Sequence, residues 1–146
     1  MNETIMQFMQ EQTCATICCN DEAGNPYCFN CYFALNKEDG LLYFKSSSDT
    51  NHVIMLGKNP IIAGTILPDK LNILITRGVQ FQGDLLQHAD PLAKDGYLRY
   101  HKKYAMALAM KGEVFTIRIN SIKMTDSNLG FGRKIEWTRE ALCTAD

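Results

Sequence analysis

The chain has 146 residues, enough for one domain with a single core, and its 46% apolar and 21% charged residues are ordinary globular composition. A net charge of −1 offers no electrostatic case for nucleic acid, whose binding needs a concentrated basic face. No apolar run approaches the roughly 20 residues of a membrane-spanning helix. The opening MNETIMQFMQEQ lacks the basic lead and apolar centre of a signal peptide, so the expectation is one cytoplasmic domain over 1–146 with no membrane partner.

Residues 3–11 mix Ile5, Met6, Phe8 and Met9 with Glu and Gln, the pattern of a short amphipathic helix. Thr13 to Cys19 reads as an apolar strand. The turn formers Asp21 to Pro26 follow, and Tyr27 to Leu35 returns as the second strand of a hairpin. Cys14, Cys18, Cys19, Cys28 and Cys31 crowd this hairpin, while Cys143 lies near the end. Cys28 and Cys31 form a C-x-x-C, but residues three apart in a strand face opposite sides, which spoils a shared metal. The expectation is a set of reduced thiols, mostly buried as small apolar groups, and no metal site.

The stretch Leu41–Pro60 is the most suggestive. Leu41 to Lys45 has the apolar and aromatic makeup of a strand. Ser46, Ser47, Ser48, Asp49 and Thr50 then offer short oxygen-bearing side chains of the kind that start helices. Val53, Ile54 and Leu56 continue at near-helical spacing, and Gly57 with Asn59-Pro60 stops the helix. A helix start fed by hydroxyls can simply be capped, or it can seat a phosphate on its free amides. His52, in the first turn, would add a donor in the second case, and Asp49 would have to point away.

Ile61 to Leu67 reads as another strand, and Leu71 to Gln87 as the longest one. There Ile73, Ile75, Val79, Phe81 and Leu85 alternate with Thr76, Gln80, Gln82 and Asp84. Arg77 falls on the apolar side, which is costly without an anion or partner. Gly78 could form a bulge that sends Arg77 to solvent; alternatively Arg77 is aimed at a ligand phosphate or carboxylate. Asp90-Pro91 starts a helix carrying Tyr97, Tyr100, Tyr104 and Leu108 as far as Gly112. Glu113 to Lys123 alternates as a half-buried strand, Thr125 to Gly132 is a polar, glycine-rich loop, and Arg133 to Thr138 is a last strand with the sole tryptophan, Trp137. About seven strands with few helices indicate a mainly antiparallel α+β domain, which a closed or partly closed barrel would protect at its edges.

The order of elements over residues 3–138 resembles the FMN-binding split barrels typified by pyridoxamine 5′-phosphate oxidase. Arg77-Gly78-Val79-Gln80-Phe81-x-Gly83 and Thr125-Asp126-x-Asn128-Leu129-Gly130-Phe131-Gly132-x-Lys134-x-x-Trp137 are similar to motifs of one small bacterial branch of that group. The resemblance implies a Greek-key split β-barrel with short flanking helices, paired as a homodimer with FMN in the groove between barrels. It places the FMN phosphate near Lys45 and Ser46 and at Thr50, Asn51 and His52, where Thr50 keeps the hydroxyl of the oxidases' Ser-Arg-Lys run. Phe29 stands where the oxidases have an arginine, and Gly78 where they have a glutamine. Lys45 and Arg77 are then candidates to offset negative charge, and Trp137 or a tyrosine of the 97–104 helix to cover the ring. Two functions are compatible with this: an FMN-dependent oxidoreductase of unknown substrate, or a non-catalytic binding module of the same fold with another ligand or an empty groove.

Overall fold

A computed structural model describes residues 1–130 and 132–140. Cys143 and Phe131 lie outside them. Seven strands form one antiparallel sheet in the order β3-β2-β1-β4-β5-β6-β7, namely β1 Cys14–Asn20, β2 Pro26–Asn36, β3 Leu41–Ser46, β4 Ile61–Ile66, β5 Arg77–Leu85, β6 Glu113–Asp126 and β7 Lys134–Thr138. A further β3–β6 pairing closes six of them into a barrel. The first half of β6 pairs with β3 and its second half with β7, so the barrel splits along this strand. The architecture is the α+β split barrel expected above.

Helix α1, Glu3–Glu11, starts where the Asn2 side chain accepts the amides of Thr4 and Ile5, and it buries Ile5, Met6, Phe8 and Met9. Ile5, Phe8 and Met9 join the barrel interior with Ile17, Phe33, Leu42, Phe44, Phe81 and Ile117. Strand β3 is buried on both faces because alternation sends its residues to two cores. Leu42 and Phe44 enter the barrel, while Leu41 and Tyr43 meet Tyr100 and Ala107 on the outside.

Three expectations need correction. The strand expected from Leu71 begins only at Arg77, because the Asn72 side chain accepts the Leu74 amide and its carbonyl the Ile75 amide, a local turn that competes with the ladder. No bulge falls at Gly78; the register shifts between Gln82 and Gly83, where the Arg118 carbonyl presses against the Gly83 backbone and leaves no space for a Cβ. The helix expected from Pro91 to Gly112 is broken into a 3-10 turn at Pro91–Ala93, helix α3 at Gly96–Lys103 and a second 3-10 turn at Ala105–Ala109. Tyr104 leaves helical angles, and its hydroxyl donates to the Phe33 carbonyl at 2.6 Å, so tertiary contact overrides the aromatic periodicity.

Gly64 lies directly over the ring of Phe81, which a Cβ would strike. Gly64→Ala is therefore expected to lower unfolding free energy by about 1–3 kcal/mol, the usual cost of overpacking. Urea denaturation monitored by circular dichroism measures it; an unchanged midpoint would show that the ring yields freely.

Candidate functional site

Helix α2, Asn51–Lys58, follows β3 through the turn Ser47–Thr50. Its N-cap residue is Thr50, but no side chain caps the helix. The Thr50 hydroxyl donates instead to the Ser47 carbonyl at 3.0 Å. Asp49 is exposed and does not serve as the cap. α1, by contrast, has its first amides satisfied by Asn2. The first amides of α2 therefore keep their donor capacity, and the positive end of the helix dipole faces the turn.

Three side chains converge beside this helix start. His52 Nε2 lies 2.8 Å from Ser46 Oγ and 3.2 Å from Thr50 Oγ1, and the two hydroxyls are 3.3 Å apart. The imidazole is stacked on Phe29, with ring centroids 3.8 Å apart and an interplanar angle of 12°. Partial burial pushes the His52 pKa below its ordinary value, so the free ring is held neutral. A neutral ring accepts at one nitrogen and donates at the other, and the hydroxyls can rotate to match either tautomer. Phe29, which sequence reasoning saw only as a missing arginine, is thus the platform that orients His52. The register pairing Ile17 with Phe29 places it there, and no local signal reveals it.

The structure brings Ser46, Thr50, Asn51 and His52 together and places Lys45, Arg77 and Trp137 elsewhere. Lys45 is on the opposite face of β3 from Ser46, as alternation demands, with its amine 3.0 Å from His101 Nε2 and 2.6 Å from the Ala107 carbonyl. Arg77 sits at the other end of the 14-residue β6 from Ser46, since Ser46 pairs with Glu113 and Arg77 with Asp126. Its Nε is 3.0 Å from Asp126 Oδ2, and its guanidinium lies over the Phe8 ring at 4.8 Å. The anion that makes its inward position tolerable belongs to the chain itself. Trp137 pairs with Ile122, packs partly against the barrel core, and borders a hollow of about 530 Å³ on the outer sheet face.

The cradle at α2 suits a phosphate in donor type and dipole, and among the described residues neither Lys45 nor Arg77 reaches it. Comparison with known proteins agrees with the fold on which this geometry rests. A heme binding protein from Mycobacterium smegmatis superposes on 90% of this chain with a TM-score of 0.74 at 15% identity, and this chain spans 55% of that protein's length. An FAD-binding protein from Mesorhizobium loti matches with a TM-score of 0.67 at 15% identity, covering 86% of this chain and 95% of its own. An F420 reductase matches with a TM-score of 0.61 at 14% identity, covering 84% and 98%. At these identities the likeness concerns the fold. No family model matches the sequence. A UPF0306 protein of Photorhabdus laumondii is 31% identical over 94% of this chain and 95% of its own length. A UPF0306 protein of Cronobacter sakazakii is 32% identical over 94% of each. With 31–32% identity along nearly the full length of both chains, the chain belongs to the UPF0306 family.

Proposed function

We propose that this protein is a homodimeric FMN binder whose phosphate seat is the start of α2, with donors from Ser46, Thr50, His52 and the backbone at Asn51. The observation that carries this reading is the uncapped helix start, ringed by two hydroxyls and a stacked imidazole. Backbone amides at a helix start that no side chain caps favour an incoming acceptor, and the neighbouring hydroxyls can rotate to join them. The flavin-binding and heme-binding descriptions of the structural neighbours support a cofactor role for the same fold. Bound there, FMN would supply electron or hydride transfer at its ring, and the chain would hold and orient it. A second copy gives the groove its other wall. Ile73 and Leu74, 99% and 87% exposed in the single chain, are apolar residues that such pairing could cover.

A second reading, a non-catalytic module for a different ligand, is favoured by the cradle's lack of a free cation: Lys45 and Arg77 are both engaged elsewhere. The colour of the purified protein and its response to added FMN separate the two. Bound flavin, or a rise in thermal midpoint with FMN concentration, supports the first reading. A colourless protein indifferent to FMN selects the second.

The lowered pKa of His52 gives a signed pH dependence. In the free protein the neutral ring is favoured, so its contribution to stability is present above about pH 6.5 and is lost as pH falls from there through the lower folded value. A bound dianion reverses the preference and draws a proton onto the ring. Near pH 6.5, FMN binding is expected to take up more protons in the wild type than in His52→Gln. Calorimetry in two buffers of different ionisation enthalpy reads the difference; equal uptake would remove His52 from the phosphate seat.

A further inference from the structure

The β1–β2 hairpin holds a pair of thiols that the phosphate seat does not use. Cys18 and Cys28 are directly opposite one another in the antiparallel register. The parity of the ladder follows from its ends: the Phe33 amide donates to the Thr13 carbonyl and the Asp21 amide to the Asn25 carbonyl, each at 3.0 Å. Pairs with an odd-numbered β1 member therefore exchange hydrogen bonds, and Cys18–Cys28 is a non-hydrogen-bonded pair. Opposed Cα atoms in such pairs lie about 4.5 Å apart, at the short end of the roughly 4.4–6.8 Å that a disulfide spans. Both side chains border the outer hollow, and Cys28 is exposed.

The other described cysteines have no such partner. Cys14 faces Tyr32, Cys31 faces Ala15, and Cys19 faces Tyr27. Cys19 is buried, and burial pushes the Cys31 thiol up to about 12. The sequence-based expectation of mostly buried thiols thus fails for Cys14 and Cys28, both exposed.

We propose that Cys18 and Cys28 form a reversible dithiol/disulfide couple that exchanges with low-molecular-weight disulfides. The exposed Cys28 thiolate attacks the incoming RSSR, forming Cys28–S–S–R and releasing one thiolate. Cys18, deprotonated, then attacks Cys28 Sγ and releases the second. Two protein thiols and one RSSR become one protein disulfide and two RSH; the electron pair passes from the dithiol to the small disulfide. Its hydrogen bond to Cys28 and then burial raise the Cys18 thiol above its ordinary value. That suits it to the second, intramolecular step, where proximity offsets a small thiolate fraction. A Cα spacing at the short end of the disulfide range favours ready reduction, so the pair is an exchanging couple rather than a structural staple.

The test equilibrates the reduced full-length protein with mixtures of glutathione and glutathione disulfide. Acid quenching, alkylation and mass mapping then read the thiols. With the disulfide in excess, the expected product has lost two hydrogens, carries a Cys18–Cys28 linked peptide, and returns to the dithiol with dithiothreitol. A Cys14→Ser/Cys31→Ser variant should behave the same, and Cys18→Ser should instead retain a glutathione adduct on Cys28. Alkylation or separate glutathione adducts at both Cys18 and Cys28 in the folded wild type would overturn the proposal. So would a bridge to another cysteine or between chains. Wild-type mapping alone decides should Cys18→Ser fail to fold.

Discussion

Replacing Thr50 and His52 together with alanine is expected to weaken FMN binding about a hundredfold while moving the thermal midpoint little. Each variant removes a donor to a charged acceptor, worth roughly 1.5–3 kcal/mol, and 1.4 kcal/mol corresponds to a factor of ten. The lower end applies because the α2 amides and Ser46 Oγ remain to hold the phosphate. Stability changes less because the Thr50 side chain caps no amide and donates only to the exposed Ser47 turn. The main structural loss is the His52–Phe29 stack, worth about 1 kcal/mol on the scale of ring pairs. Titration of FMN fluorescence against protein measures the affinity, and a parallel thermal scan measures the fold. Unchanged affinity in a folded double variant would mean that the phosphate sits somewhere else.

Arg77→Ala is expected to act in the opposite way, costing about 2 kcal/mol of stability and leaving FMN affinity unchanged. The Asp126 carboxylate is only 5% exposed and would lose its cation, while the 31% exposure of Arg77 tempers the penalty usual for breaking a buried pair. Asp126 also accepts the Asn128 amide at 2.9 Å, so the turn that follows β6 should loosen with it. Urea denaturation of Arg77→Ala, Asp126→Asn and the double variant forms a cycle whose coupling isolates the pair. Additive effects would show that the contact contributes nothing. A tenfold loss of FMN affinity in folded Arg77→Ala would instead mean that Arg77 reaches the ligand from the second copy.

The two variants differ because one residue set is assembled by local chain and the other by strand pairing. Ser46, Thr50 and His52 are within seven positions of one another, so a strand, a turn and one helical turn suffice to bring them together. Their proximity was therefore legible in Leu41–Pro60. Arg77 and Asp126 are separated by 49 positions and meet only through the β5–β6 register. The alternation on β5 correctly put Arg77 inward but could not name its counter-ion. Lys45 and Ser46 are neighbours on β3, and a period of two sends them to opposite faces, Lys45 to His101 and Ser46 to His52.

The order of the seven strands, their inward faces and the hydroxyl-rich helix start are legible in the sequence, because these follow from side-chain size, polarity and spacing within a few residues. Tertiary structure alone decided the closure of β3 on β6, the register shift opposite Gln82 and Gly83, the Phe29 platform beneath His52 and the opposition of Cys18 to Cys28. Each of these depends on register. A shift of one residue would preserve every local propensity and turn each of those side chains to the other face.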